Sequence, residues 1–206
     1  MTEDAQVRRM AQEIVTREGG YVDDPADPGG PTNHGVTLGT LRRLGRDLDG
    51  DGDTDRDDLK RLTEADAAAI FLRDYFHAPR LDALPAALQP SVFDMYVNAG
   101  AGAVKLLQQL LRDMGEEVAV DGVVGPRTIA AAGRAFAAAP EHIADAYGIS
   151  RRNYYFALAD RRPASRKFAR SVAGGKGGWI RRAESFISPR FRLTDAQFRA
   201  RVSAWA

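Results

Sequence analysis

The stretch REGGYVDDPADPGGPTNHGVT, residues 17–37, decides the reading of this chain because it interrupts a clear helical pattern with glycine, proline and aspartate. Apolar residues precede it at the i, i+3, i+4, i+7, i+8 spacing of a one-sided helix, and these are Val7, Met10, Ala11, Ile14 and Val15. Glu18 continues that stripe, and Gly19 and Gly20 predict the end of the helix. A segment with so few apolar side chains is either a loop without a function of its own or part of a functional site.

Glu18 is the first candidate for chemistry in this stretch. A carboxyl in the last turn of a helix lies at the negative end of the macrodipole, and an apolar face desolvates it, so both effects favour the protonated form. Asp27 follows nine residues later, and two carboxyls flanking a bond are the usual equipment of glycoside hydrolysis. Thr32 and Asn33 are suited to hold a water or a sugar hydroxyl. The alternative is a solvated helix end.

Further polar and aromatic residues suit contacts with a sugar. Tyr21 and His34 lie within the stretch; either binds substrate or is a packing residue. Asp94 and Asn98 are four residues apart on a predicted helix, so they share one face. Both are predicted substrate contacts, the alternative being a cap and a solvated polar stripe.

The remaining pattern predicts a mostly α fold with at most a short β-hairpin in residues 21–38. Thr63 with Asp66 forms a capping-box signature, and Pro126 occupies a first helical position. A flexible AGGKGG segment joins two late helices. The predicted helical segments are TLRRL, LTEADAAAIFLRDYF, SVFDMYVNAG, AVKLLQQLLRDMG, GPRTIAAAGRAFAAA, EHIADAYGISRRNYYFALADR, GGWIRRAESFI and TDAQFRARVSAW.

Residues 47–58, DLDGDGDTDRDD, contain seven aspartates, which repel one another unless a cation neutralises them. The spacing is that of an EF-hand calcium loop, with Gly52 at the sharp turn, and it most resembles the dockerin type. An aspartate at position 12 and Thr54 at position 8 depart from the common pattern. The alternative is a solvated acidic loop. The predicted calcium ligands are Asp47, Asp49, Asp51, Asp53, Asp55 and Asp58.

Charge and composition narrow the class of protein. The chain has no cysteine and a net charge of +1, but residues 151–206 carry 14 Lys or Arg against 3 Asp or Glu. Such a region favours an anionic partner or is a solvated helical face. The N-terminus lacks the pattern of a secretory signal. We therefore expect synthesis in the cytoplasm without a signal peptide and action in the periplasm or cell wall after release.

The stretch EGGYVDDPADPGGPTNHGVT resembles the signature of the Glu-Gly-Gly-Tyr muramidases, glycoside hydrolase family 108. FDMYVNAGAGAVKLLQQLL and VDGVVGPRTIAA resemble that family's predicted peptidoglycan-binding half. The resemblance implies a lysozyme-like fold, with Glu18 as catalytic acid. Asp27 or Asp24 would be the second carboxylate, and Thr32 or Asn33 the third catalytic position.

The same resemblance implies an organisation and a set of partners. We expect a catalytic half in 1–100 with the calcium loop inserted at 47–58, a peptidoglycan-binding half in 101–187, and a basic extension in 188–206. The predicted activity is cleavage of the MurNAc-β-1,4-GlcNAc bond, with a lytic transglycosylase or a non-catalytic wall-binding module as alternatives. We expect a phage or prophage endolysin released by a holin, with no organic cofactor and no nucleic acid, acting as a monomer that also contacts the anionic envelope.

Overall fold

The computed structural model describes the backbone of residues 3–23 and 30–205, with the side chains of 3–6, 17 and 18 left outside the description. The chain divides into two compact units, Met1–Pro79 and Arg80–Ala206. Helices dominate both, and the described strands form a single two-stranded sheet. The mostly α, lysozyme-like fold class predicted from the sequence is therefore confirmed. None of the helices in the described ranges is long and apolar enough to span a membrane.

The first unit is built on a long N-terminal helix. Its elements are α1 Glu3–Glu18, β1 Thr32–Asn33, β2 Val36–Thr37, α2 Leu38–Arg43, α3 Arg56–Arg61 and α4 Glu64–Phe71, followed by a π-helical segment Leu72–His77. The predicted stripe of α1 is buried at Val7, Ala11, Ile14 and Val15. Helix α4 packs against α1 and begins with the predicted capping box of Thr63 and Asp66.

The predicted hairpin exists and is very short. Strand β1 pairs antiparallel with β2, with Thr32 opposite Thr37. His34 and Gly35 make the turn with φ values of 52° and 77°, as a hairpin turn with two left-handed residues requires. On its other side Thr32 pairs with Val22 through two backbone hydrogen bonds of 2.8 Å each. The chain that leaves α1 therefore lies beside the hairpin.

The second unit consists of helices joined by turns and loops. Its helices are α5 Gln89–Ala99, α6 Ala101–Asp113, α7 Pro126–Ala138, α8 Ile143–Arg161, α9 Arg166–Ala169, α10 Gly178–Ser185 and α11 Asp195–Arg201, with short 3-10 turns at Leu81–Ala83, Pro163–Ser165 and Pro189–Phe191. Pro126 begins α7 as predicted. Helix α8 is central, since it packs against α5, α6, α9 and α10.

The glycine-rich AGGKGG segment is an ordered turn, so the expectation of a flexible connection was wrong. Arg170 and Lys176 form an antiparallel bridge, and Ser171 N donates to Gly175 O at 2.8 Å. Gly177 is packed so tightly that a Cβ there would lie 2.5 Å from the carbonyl oxygen of Phe168. Glycine is therefore required where the turn leads into α10.

The C-terminal extension 188–206 is part of the core of the second unit. Phe198, Val202 and Trp205 are buried in one cluster with Tyr155 and Phe156 of α8. The indole Nε1 of Trp205 donates to Asp160 Oδ1 at 2.6 Å. The hydroxyl of Thr194 caps α11. Removing 188–206 would therefore expose core surface as well as remove positive charge.

We predict that Trp205→Ala lowers the free energy of unfolding by about 3–5 kcal/mol, because it leaves a cavity in a packed aromatic cluster. Urea unfolding followed by circular dichroism measures the change. Val172→Ala, at a fully exposed apolar side chain, is the control and should unfold like the parent. A Trp205→Ala midpoint equal to the parent's would contradict the assignment of the extension to the core.

Candidate active site

Glu18 is the last residue of α1. The turn before it is fixed in the core, because Ile14 and Val15 are only 2% and 0% exposed. Gly19 follows with φ of +80°, a left-handed conformation that ends helices and suits glycine. The backbone of Glu18 thus lies at the negative end of the helix dipole, as the sequence predicts. Its side chain, like all of Asp24 and Asp27, is outside the described residues.

Thr32 lies in the middle of the small sheet. Its backbone pairs with Val22 on one side and with Thr37 on the other, and its side chain is partly exposed. Val22 is four residues after Glu18, so the pairing brings Thr32 next to the chain that leaves α1. Thr32 is therefore placed near the chain that carries the candidate acid.

Asn33 has a structural role that the sequence did not indicate. Its side chain is 4% exposed, and Nδ2 donates to the carbonyl oxygens of Leu59 at 2.8 Å and Leu62 at 3.3 Å. These carbonyls belong to the end of α3, where helical partners run out. The amide donor proposed for substrate contact is thus used to fasten the hairpin to α3.

Tyr21 is exposed and His34 is partly exposed, so both are open to a ligand. The Tyr21 hydroxyl donates to Asp23 Oδ2 at 3.2 Å, and Lys60 Nζ lies 5.9 Å from the ring centroid. The pKa of Tyr21 is raised, mainly by desolvation and to a smaller extent by the hydrogen bond to Asp23. His34 is partly exposed at the hairpin turn.

Helix α3 contacts residues 21–23 at two points, Tyr21 and Asp23, and the sequence patterns did not predict the contact with Asp23. Arg56 Nε lies 3.2 Å from Asp23 Oδ2, in addition to the contact of Lys60 with Tyr21. Both cations come from the helix that follows the acidic loop. Their spacing on one helical face was visible in the sequence, but their target was not.

The acidic loop 47–58 is folded by hydrogen bonds from its own backbone to its carboxylates. Asp47 accepts from Gly50 N at 2.6 Å and from Gly52 N at 3.0 Å. Asp49 accepts from Asp51 N, and Asp51 accepts from Asp53 N. Gly52, at the predicted sixth position, has φ of +97°. The sharp turn expected of a cation-binding loop is therefore present.

Asp58 ties the two ends of this loop together. Its buried carboxylate accepts from Leu48 N at 2.5 Å, Asp49 N at 3.2 Å and Asp55 N at 2.7 Å. The bonds from Asp55 and Leu48 lower the pKa of Asp58. Because Asp58 also belongs to the first turn of α3, it links the loop to the helix that supports the hairpin.

The loop carboxylates converge in a way that suits a cation. Asp47, Asp49 and Asp58 bring ligand oxygens within 4.8 Å of one another, and so do Asp53, Asp55 and Asp58. Repulsion from Asp51 is the main cause that raises the pKa of Asp53. The two groups share Asp58, and each offers carboxylate oxygens of the kind that a hard cation such as calcium prefers, whereas Asp51 belongs to neither group.

In the second unit, Asp94 is buried and ion-paired. It is 2% exposed; Arg151 Nη2 approaches its Oδ2 at 2.5 Å, and Arg182 Nε approaches Oδ1 at 2.9 Å and Oδ2 at 2.8 Å. This differs from the expected substrate contact, since Asp94 positions two arginines instead of facing solvent. Asn98 is exposed, and its Nδ2 donates to the carbonyl of Asp94 at 3.1 Å.

The partners of Asp94 were also missed from the sequence. An acid inside the apolar run SVFDMYV predicts burial, and a buried carboxylate needs a cation or several hydrogen-bond donors. Arg151 and Arg182 supply it from α8 and α10. Nothing local in the sequence selects them from the other arginines of the basic region.

Comparisons with known families agree with this architecture. Residues 11–100 match the model of Glycosyl hydrolase 108. Residues 102–184 match a model described as Predicted Peptidoglycan domain. The chain therefore carries a glycosyl hydrolase 108 domain followed by a predicted peptidoglycan domain. The hydrolase match contains Glu18, the hairpin and the acidic loop, and the two domains together indicate a glycoside hydrolase that acts on peptidoglycan.

A solved structure supports the same assignment over nearly the whole chain. This glycoside hydrolase is similar to the chain in "Structure of Brucella abortus SagA", with 27% sequence identity and a TM-score of 0.58. The similarity covers 94% of this chain and 99% of the other. A search of curated protein sequences gives no match.

We predict that Asn33→Ala lowers the free energy of unfolding by about 1–3 kcal/mol, because it leaves two buried carbonyls at the end of α3 without their donor. Chemical unfolding by urea measures the effect. Asn153→Ala, at an exposed asparagine on α8, should be neutral. An equal midpoint for both variants would show that the amide does not fasten the hairpin.

Proposed function

We propose that this glycoside hydrolase is an N-acetylmuramidase that cleaves the MurNAc-β-1,4-GlcNAc bond with Glu18 as general acid. The main support is the position of Glu18 at the end of α1, within the range matched by the hydrolase model. The backbone pairing of Val22 with Thr32 supports a site in which polar residues are folded beside that helix end.

The proposed reaction follows from the place of Glu18 in the chain, at the last residue of α1. The helix dipole disfavours a negative charge on Glu18, so the group is suited to hold a proton until it is needed. Glu18 transfers this proton to the glycosidic oxygen as the bond from C1 of the muramyl residue to that oxygen breaks. Water adds to C1 and gives its proton to Asp27, or to Asp24 in the alternative assignment. Thr32 orients the water, and Tyr21 and His34 contact the sugar.

We predict that Glu18→Gln lowers the rate of glycan cleavage by about 100-fold or more, because the leaving oxygen loses its proton donor. Release of reducing ends from purified sacculi, identified by mass spectrometry, measures the rate. Glu13→Gln, which changes an exposed glutamate of the same helix, is the matched control and should keep activity.

The products discriminate between the possible activities. Reducing muramic acid ends support the muramidase. Anhydro-muramic ends would replace it by a lytic transglycosylase, and cleaved peptide cross-bridges would contradict both. A Glu18→Gln variant with unchanged lysis would remove Glu18 from the mechanism.

The proposed calcium site has a structural part in this function. An ion held by the six aspartates of the loop would neutralise the repulsion between them and fix the start of α3. That helix holds Asn33 and contacts Tyr21 and Asp23, so calcium would stiffen the segment beside the helix end that carries Glu18. Asp58 is shorter than the usual bidentate glutamate, so we expect a dissociation constant of about 10⁻⁴–10⁻³ M.

We predict that about 10 mM calcium raises the free energy of unfolding by up to about 2.7 kcal/mol over the value in chelator, as expected when the ligand reaches 100 times its dissociation constant. Asp51→Asn with Asp53→Asn should abolish this response. The same variant should be at least as stable as the parent in chelator, since it removes like charges. Thermal melting measures both effects, and an unchanged parent midpoint with calcium would contradict the site.

The cellular setting belongs to the same proposal. The enzyme is made in the cytoplasm, is released through a holin-type pore, and acts as a monomer in the periplasm or cell wall during phage or prophage lysis. Exposed basic side chains of the second unit, including Arg161, Arg162, Lys167 and Arg190, suit attachment to an anionic envelope. Such attachment should weaken steeply as salt concentration rises.

A further inference from the structure

The second unit contains an open groove of about 590 Å³ between the end of α5, α8 and the start of α10. Its lining combines aromatic and polar side chains. Its lining residues include Asn98, Tyr154, Tyr155, Leu158, Trp179 and Arg182. Apolar walls with a few converging polar groups are characteristic of sites for small ligands.

Aromatic stacking fixes one wall of this groove. Trp179 stacks on Tyr155 with ring centroids 5.1 Å apart and on Phe168 at 5.0 Å. Tyr154 meets Tyr155 edge to face at 5.7 Å. These contacts limit the rotamers of the aromatic side chains, so little conformational entropy would be lost when a ligand binds against this wall. Aromatic side chains of this kind give a sugar ring apolar surface for its C–H groups and a polar edge for its substituents.

The groove also has an excess of positive charge. Asp94 supplies one negative charge to two arginines, Arg151 and Arg182. Arg151 is fully buried, whereas the side chain of Arg182 is 24% exposed and lines the groove. The unmatched positive charge therefore faces the groove through Arg182, where an anionic ligand group would complement it.

Two hydrogen-bonding groups lie along the same lining. Within the described residues, no hydrogen bond engages the indole N–H of Trp179. Asn98 uses its Nδ2 on the carbonyl of Asp94, so its amide oxygen remains available as an acceptor. One donor, one acceptor and one cation thus accompany the aromatic wall.

We propose that this groove binds a muramyl-peptide unit of the glycan strand, with the sugar against Tyr154 and Trp179 and a carboxylate of the stem peptide at Arg182. The inference rests on the proposed function for its substrate class. A neutral N-acetylglucosamine oligomer would leave the charge on Arg182 unmatched, and a peptide without sugar would leave the aromatic wall uncovered. The second unit then binds substrate through side chains of α5, α8 and α10.

The test is isothermal titration calorimetry of the full chain in a Glu18→Gln background, so that binding is read without turnover. Muramyl dipeptide, N-acetylmuramyl-L-alanyl-D-isoglutamine, is the probe. Arg182→Gln should weaken binding by about tenfold, the loss expected for one charge-assisted hydrogen bond. Arg181→Gln removes the same charge from the neighbouring exposed position and should bind like the parent.

Two further ligands separate the sources of affinity. Tetra-N-acetylchitotetraose, which is neutral, should bind more weakly than muramyl dipeptide, and its binding should not change in Arg182→Gln. The free dipeptide should bind more weakly than either. Thermal melting checks that Arg182→Gln folds. If it does not fold, Asn98→Ala and Tyr154→Ala replace it in the titration, and each should weaken the binding of muramyl dipeptide.

Absent binding of muramyl dipeptide, or equal losses in Arg181→Gln and Arg182→Gln, would overturn the inference. Failure of the proposed function is a separate result. In that case the parent chain releases no reducing ends from sacculi, whatever the calorimetry shows.

Discussion

The second unit depends on a carboxylate that has been removed from water. Asp94 is buried between Arg151 and Arg182, and it joins α5 to α8 and α10. Burying such a group costs several kcal/mol unless its lone pairs are satisfied, and removing one partner of a buried pair typically destabilises a protein by about 3–5 kcal/mol. Because Arg151 also donates to the carbonyl of Ser91 and to the hydroxyl of Tyr155, the position of each helix is determined by directional bonds as well as by apolar packing.

Asp58 plays a related part in the first unit, but with backbone partners. It gathers N–H groups from both ends of the acidic loop and so sets where α3 begins. Helix α3 in turn holds Asn33, and it contacts Asp23 and Tyr21. The acidic loop is therefore connected, through α3, to the segment that follows Glu18.

Local patterns predicted the local structure well. The stripe from Val7 to Val15, the capping box at Thr63 and the proline at 126 correspond to real helix faces and ends, because each depends on residues only a few positions apart. The hairpin and the turn at Gly52 were predicted for the same reason. Catalytic roles came from the resemblance of the EGGY stretch to a family and from the dipole argument for Glu18.

Long-range partners were not predictable in this way. Asn33 and Asp94 looked like polar residues available to a ligand, yet each satisfies groups far away in sequence: carbonyls 26 and 29 positions on for Asn33, and arginines 57 and 88 positions on for Asp94. The burial of Phe198, Val202 and Trp205 against α8 was missed for the same reason. A sequence pattern shows that a polar group needs a partner, but tertiary packing selects which one.

The close approach at Gly177 has a consequence for molecular recognition. Only a hydrogen atom fits between this residue and the backbone of Phe168 and Ala169, and Trp179 lies two positions further along the chain. The absent side chain lets the two segments touch, and this contact brings the Phe168 and Trp179 rings face to face. Adding a methyl group at residue 177 would thus spread the stacked rings apart without altering a single aromatic atom.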